Sequence, residues 1–488
     1  MTVGSGSVRV SELISEADLV EVPDTARDPT AKLSLGAVCW AIFEGARNPY
    51  VILITIYVFM PYFARVVVGD PVRGQAAVAA YGQYSGWIVM LTAPLLGASI
   101  DRMGRRKPWL FLAVAAMVPL IASLWWTKAD HSGLSIGAVI AIATTIGVLF
   151  SYTEVLHNSL LVRAAGLSAA HKASGLALAL GNAVAVAALV FVMWAFALPG
   201  KVHWAFIPGA PLFGLDPLTH QQDRIVAPIA AGLFALGAIP LFLFTPDAER
   251  SQVPALQALK QGFGSLIAMV TSLKGHRDAM IFLVSRMFYV DGMTAILLFA
   301  GVYASGVMHW GALEMLAYGV ILSVLAVLGG FLGGWLDATV GPKRSVQIEI
   351  CMTLIGVICM LGMGPDKILY LWPFDPAAHA PVWNGPMFRT LPEVIYLLIG
   401  FSNAVFITAH YASSRTLLTR LTPPEQTGAF FGVYALSGTA TVWLGSSLVN
   451  LGTHLTHTQQ GGFATITGLL AIGFVGLLFV RGGGAAKS

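Results

Sequence analysis

Gly97-Ala98-Ser99-Ile100-Asp101-Arg102-Met103-Gly104-Arg105-Arg106-Lys107 carries five charges in its last seven residues and lies between two long apolar runs. A helix cannot carry those charges through hydrocarbon. The stretch therefore reads as a short hydrophilic hairpin joining two membrane spans, and its four cations place it on the cytoplasmic side. Gly97 sits one turn before Asp101, where a missing side chain lets a neighbouring helix come close. A weaker copy, Gly333-Gly334-Trp335-Leu336-Asp337-Ala338-Thr339-Val340-Gly341-Pro342-Lys343-Arg344, again has Gly four residues before Asp and again separates two apolar runs. Two copies imply two halves. Topology alone needs no Gly97, Asp101 or Gly104, whereas a gate needs close helix approach and an acid to hold a cation or cap a helix. We expect Gly97, Asp101, Arg102, Gly104, Arg105 and Arg106, with Gly333, Asp337, Lys343 and Arg344 in the copy, to close the cytoplasmic side.

Of 488 residues, 56% are hydrophobic and 11% charged, against roughly 25% charged in ordinary soluble domains, so lipid is the solvent for most of the chain. The net charge of +4 is too small to argue for nucleic acid as a partner. Cys39, Cys351 and Cys359 fall inside apolar runs without metal-ligand spacing, so neither a disulfide nor a metal site is expected. No Walker loop, nucleophile elbow or His-Glu-x-x-His is present, so we expect no enzyme and no cofactor.

A span needs around 20 apolar residues, and twelve runs qualify, at 34–64, 76–99, 109–127, 134–160, 173–198, 225–245, 279–307, 312–336, 345–364, 392–416, 428–450 and 462–480. The expected fold is all-α: a cytoplasmic acidic tail over 1–33, a six-helix bundle over 34–245, a linker over 246–278, a second bundle over 279–480 and a tail over 481–488. An even count puts both termini on one side. Nineteen Lys and Arg fall on that side and seven on the other; Arg47 and Arg286, inside spans, complete the 28. The bias makes both termini cytoplasmic, in a multi-pass protein of the cell membrane. Trp125, Trp126 and Trp310 fit an aromatic belt. The pairs Glu44/Asp291, Asp101/Asp337 and Arg163/Arg420 are separated by 247, 236 and 257 positions, the mark of a parallel duplication around a central cavity.

A charge at the centre of a span costs about 2.5 to 3.5 kcal/mol, so it faces a cavity or a partner. Glu44 and Arg47, three residues apart, share one helix face and can pair. They can merely neutralise one another, or form a proton site beside an anion anchor. Pro49 removes the backbone bond to the carbonyl of Gly45, so the first span should kink there and expose a polar acceptor. Arg286 and Asp291 lie about 140° apart around a helix and need separate partners. Glu154 and His157, near the end of the fourth span, are either interfacial or a second proton site.

The Gly-x-x-x-Asp-Arg-x-Gly-Arg-Arg-Lys loop, repeated in a six-plus-six chain, resembles the major facilitator superfamily. Within it, Phe-Glu-Gly-Ala-Arg-Asn-Pro-Tyr (43–50), His-Asn-Ser-Leu-Leu (157–161), Ser-Gly-Leu-Ala-Leu-Ala-Leu-Gly (174–181), Tyr-Val-Asp-Gly (289–292), Ser-Arg-Thr-Leu-Leu-Thr-Arg-Leu-Thr-Pro (414–423) and Phe-Phe-Gly-Val-Tyr-Ala-Leu-Ser-Gly (430–438) are similar to the vacuole-effluxer-like branch. The resemblance implies a secondary transporter of amino acids or similar small metabolites. It also implies that spans 1, 4, 7 and 10 line the cavity, bringing together Glu44, Arg47, Asn48, Tyr50, Glu154, His157, Asn158, Arg286, Tyr289, Asp291 and Arg415. The branch has Asp and Asn where Glu44 and Arg47 stand, Tyr-Asn in place of His157-Asn158, a Lys near Thr439 and Gly-Pro at Gly445-Ser446. A cation gained in span 1 and another lost in span 11 point to a different substrate. The partners expected are a small-molecule substrate, protons and the lipid bilayer, around a monomer. Drug or sugar export on the same fold, or a transporter-like sensor that moves nothing, stay as alternatives.

Overall fold

The computed structural model describes residues 32–247, 273–422 and 427–481, with a few positions between 249 and 271. The acidic tail apart from Lys32 and Leu33, most of the linker, and the C-terminal tail beyond Arg481 lie outside the described residues. The membrane-crossing architecture is helical throughout. Among the described residues, ten helices are long and apolar enough to cross a membrane: α1 (Leu35–Val67), α3 (Lys107–Trp126), α4 (Ile136–Ser159), α5 (Leu161–Val192, its apolar part running on to Ala197), α6 (Gln221–Phe244), α7 (Arg277–Val307), α8 (Ala312–Thr339), α9 (Pro342–Leu361), α10 (Leu391–Leu421) and α12 (Gln459–Leu478). Two more helical stretches occupy the second and eleventh apolar runs: α2 (Pro71–Met103), and α11 in two pieces, Thr427–Thr439 and Val442–Thr456.

Local chemistry sets the helix ends. Asp70, before Pro71, accepts a hydrogen bond from the Arg73 amide at 2.7 Å, and Ser34, Ser135 and Thr458 cap α1, α4 and α12 in the same way. Each such cap satisfies a donor that the first turn leaves open. Thr390 and Glu393 form a reciprocal capping box on α10. Both hairpins identified above turn on a glycine at positive φ, Gly104 at 77° and Gly341 at 83°, and each is followed by a proline in the first helical turn. A side chain would strain that backbone, and the proline gives up an amide that has no helical partner there.

Packing repeats between the two halves of the chain. Helix α1 packs on α5 and α6, α2 on α4, and α3 on α4 and α6; likewise α7 packs on α11 and α12, α8 on α10, and α9 on α10 and α12. Between the halves, α2 meets α11 and α5 meets the first part of α8. Direct ties there include Gln75 to Thr453 at 2.9 Å, Asn450 to Gln83 at 3.0 Å, and Arg65 Nη1 to the Trp310 carbonyl at 2.9 Å.

Trp310 corrects one expectation. It is 2% exposed, packed among Tyr318, Phe388 and Tyr396, with its indole donating to Glu393. An indole enclosed by three rings and a carboxylate belongs to the core and not to an interfacial belt. Trp126, 55% exposed, remains compatible with one.

Candidate functional site

Helix α1 changes pitch where Pro49 stands. The regular helix ends at Pro49 and a wider π-helical stretch runs from Tyr50 to Tyr57, because proline removes one rung of the ladder and its ring displaces the next carbonyl. One turn before this change, Arg47 is 6% exposed. Its Nε lies 2.9 Å from Glu44 Oε2, its Nη2 lies 3.5 Å from Glu154 Oε2 on α4, and its guanidinium sits 4.6 Å over the Phe150 ring. The pairing expected between Glu44 and Arg47 is therefore formed, and Glu154 joins it.

His157 is buried behind this group at 1% exposure. It stacks on Trp40 at 4.4 Å, its Nε2 lies 2.8 Å from the Trp40 carbonyl, and its Nδ1 faces Glu44 Oε2 at 3.7 Å. Asn48 lies beside Gly181 on α5. Tyr50 packs its ring on Phe150 at 5.4 Å. Asn158, next in the chain to His157, and Arg415 on α10 are exposed.

In the second half Arg286 is 6% exposed and lies 3.5 Å over the Tyr434 ring. Its Nη1 donates to the Tyr434 carbonyl and the Ser437 hydroxyl, both at 2.7 Å. Asp291 turns elsewhere, as the 140° separation requires. Its Oδ2 accepts from the Gly445 amide at 2.6 Å, in the opening turn of the second piece of α11. Tyr289 is fully buried, its hydroxyl 3.4 Å from Ser414. Tyr411 on α10, next to His410, packs its ring toward that imidazole at 6.2 Å. Each half thus presents one arginine over an aromatic ring, from α1 and from α7.

The hairpin residues divide. The side chains of Asp101 and Arg102 lie outside the described residues. Arg106 is 2% exposed; its guanidinium donates to the Ser159 carbonyl, and its amide and that of Lys107 donate to Asp247 at 2.9 and 3.2 Å. These bonds run within the first six spans and to the first residues of the linker that follows them. Arg105 is exposed. A Cβ on Gly97 would find its nearest neighbour, Val155, at 3.8 Å, whereas one on Gly333 would meet the Ala409 carbonyl at 2.8 Å. Close approach therefore occurs at the weaker copy. Asp337 keeps one buried oxygen without a partner among the described residues, Lys343 is half-buried and Arg344 exposed.

Sequence reasoning passed over Glu349 and His410, both fully buried. The signal was present: each lies inside an apolar run, and the argument from the cost of intramembrane charge reaches Glu349 as it reached Glu44. Phe150, Tyr434 and Ser437, which seat the arginines, carry no charge and gave no such signal.

Two helical halves with matching packing and charged groups on the inward faces of α1 and α7 define a membrane transporter of the major facilitator superfamily, not an enzyme. Comparison with known proteins agrees. The family model described as "Vacuole effluxer Atg22 like" matches residues 84–485, and the chain belongs to that family. It is 21% identical over 445 residues to the uncharacterized MFS-type transporter YxiO of Bacillus subtilis, covering 90% of this chain and 94% of the relative. It is 22% identical over 212 residues to autophagy-related protein 22 of Candida glabrata, covering 43% and 36%. Among solved structures it is similar to a mutant form of the nucleoside transporter NupG (TM-score 0.62, 12% identity, 92% of this chain and 100% of that one). It also resembles the inward-open xylose transporter XylE from E. coli (TM-score 0.56, 12% identity, 93% and 96%).

Proposed function

We propose that this protein is a secondary active transporter that moves a small metabolite bearing an anionic group, an amino acid or similar compound, by alternating access coupled to protons. The observation that carries the reading is the pair of buried arginines. Arg47 Nη1 and Arg286 Nε lack hydrogen-bond partners among the described residues, and no described carboxylate pairs with Arg286. Arg286, at membrane depth without a described counter-ion, is costly to keep charged, and a carboxylate or phosphate is the group its fork recognises. The transporters similar in fold carry nucleosides and xylose; identity at that level passes on fold alone, so the substrate class rests on the arginines.

Alternating access is supported by where the halves touch. Gly301 on α7 abuts the Ile56 carbonyl, Gly319 on α8 abuts the Tyr57 ring, and Gly86 on α2 abuts Trp443. The Gly301 and Gly319 contacts and the Arg65 tie lie toward the end that carries Gly69 and His309, while Gly86 and Trp443 meet near mid-helix. Toward the opposite end Glu154, Asn158 and Arg415 are exposed. On the reading of twelve spans in two bundles, 34–245 and 279–480, with both termini in the cytoplasm of a monomer in the cell membrane, this is an inward-facing state. Glu44, ionisable and beside Arg47, is the first proton carrier.

The test is flux. Purified protein in liposomes should take up an anionic amino acid or related metabolite saturably, faster under an inward proton gradient. A panel of amino acids, sugars and drugs in thermal-shift binding selects the compound. Saturable binding without flux for every compound that binds would make the chain a sensor and overturn the reading.

A further inference from the structure

A second buried acid–base pair lies away from Glu44 and Arg47, between α9, α10 and α7. Glu349 on α9 and His410 on α10 are each 0% exposed, with His410 Nδ1 3.8 Å from Glu349 Oε2. Glu349 Oε1 accepts from the Ser413 hydroxyl at 2.8 Å. Glu349 Oε2 and both nitrogens of His410 have no hydrogen-bond partner among the described residues. A structural polar cluster at this depth would satisfy its atoms, because each one left open costs free energy. Three open atoms on one acid and one base leave room for a proton to join and leave with little rearrangement.

The pair is also wired to the candidate anion anchor. The His410 ring meets Tyr289 edge-on at 4.7 Å. The Tyr289 hydroxyl lies 3.4 Å from Ser414, the Tyr434 hydroxyl donates to Ser414 at 3.1 Å, and the Tyr434 carbonyl accepts from Arg286 at 2.7 Å. Asp337 on α8 faces Glu349 electrostatically, and Arg286 on α7 faces His410. Tyr289 on α7, Tyr411 on α10 and Cys351 on α9 are further titratable groups on those elements, while α12, packed on α9, contains none.

We propose that Glu349 and His410 form a proton-binding pair that responds, through Tyr289, Ser414 and Tyr434, to an anion held by Arg286. With the carboxylate ionised and the imidazole neutral, the pair carries one negative charge, and the Arg286 cation facing His410 supports that deprotonated state. An anion arriving on Arg286 cancels that support, and one solvent proton then adds to the pair on the Glu349 carboxylate, beside His410 Nδ1. Linkage makes the effect reciprocal, so the bound proton tightens anion binding by the same factor. The anion arm of this scheme rests on the transport reading above; the proton site does not.

The experiment is infrared difference titration of the full-length protein in lipid nanodiscs, without substrate, from about pH 5 to about pH 9, a range that brackets imidazole titration. A protonated-carboxyl band should appear as pH falls, be lost in Glu349→Gln, move in frequency in Glu349→Asp, and persist in Glu44→Gln. His410→Gln should displace its midpoint by about one pH unit, since strongly interacting sites titrate together. The absence of any titrating band in the wild-type protein, its persistence in Glu349→Gln, or a midpoint unmoved in His410→Gln would overturn the pair. Should Glu349→Gln fail to fold, the wild-type titration and the Glu349→Asp frequency decide. A titrating band in a protein that transports nothing would leave the site standing and sink the transport reading instead.

Discussion

Arg47 has carboxylates on two sides, Glu44 on its own helix and Glu154 across from it, while Arg286 is held by a backbone carbonyl, a hydroxyl and a ring. The two residues therefore differ in what they leave for a ligand. Arg286 has a full positive charge to offer, whereas Arg47 must share its charge with two acids. Replacing Arg286 by Gln should weaken binding of an anionic substrate by about 10- to 100-fold, the loss of one hydrogen-bonded charge contact worth about 1.5 to 3 kcal/mol. Calorimetric titration with the selected substrate checks this, and unchanged affinity would remove Arg286 from the site. Glu44→Gln mimics the protonated carboxyl. It should abolish accumulation driven by a pH gradient while sparing exchange between equal pools; a variant that still concentrates substrate would put the coupling proton elsewhere.

At the scale of elements, irregularities mark where the helices are spent on something other than spanning. The π-helical turn of α1 follows Pro49, and after the break in α11 the opening turn of its second piece gives the Gly445 amide to Asp291. The opening turn of α3 is capped from outside its own helix: Asp247 takes the amides of Arg106 and Lys107, tying the basic hairpin to the end of α6. Asp247→Ala should lower stability by about 1 kcal/mol, the usual worth of such a cap, read as a reduced melting temperature in detergent with the helical circular-dichroism signal retained. A different effect is expected at Gly301, where any side chain would run into the Ile56 carbonyl of α1. Gly301→Leu should wedge α7 from α1 and lengthen the distance between spin labels at Gly69 and His309. An unchanged distance would show that the two helices do not form the closed end.

For the whole molecule, orientation is the first question, and nineteen cations against seven give the expectation of cytoplasmic termini that a fusion experiment tests. A reporter active only outside the cell should work when fused after Leu215 and fail after Lys260; the reverse pattern overturns the topology. The hairpin makes a second test. Asp101→Asn should leave insertion and substrate binding intact while slowing flux, because it acts on the interconversion between states and not on the binding groups. Full flux in that variant would reduce the hairpin to an orientation signal.

The sequence by itself determined the membrane character, the helical class, the duplication and the charged positions on α1 and α7. Hydrocarbon admits so few polar residues that each one announces itself, and glycine and proline punctuate a hairpin by local geometry alone. Arg47 with Glu44, three positions apart, was legible for the same reason. What Arg286 and Asp291 would find was not, because their partners lie about 150 positions away on α11. Nor was the seating of Trp310 in the core, which depends on Phe388 and Tyr396 arriving from another helix and its loop. Gly97 and Gly333 occupy like places in the two copies, yet only Gly333 meets a neighbour closely; the spacing within a motif is local, and which helix comes to lie against it is settled by how the halves pack. The juxtaposition of Glu349 with His410 is of that second kind, since only the packing of α9 on α10 brings an acid and a base 61 positions apart in the sequence within 3.8 Å.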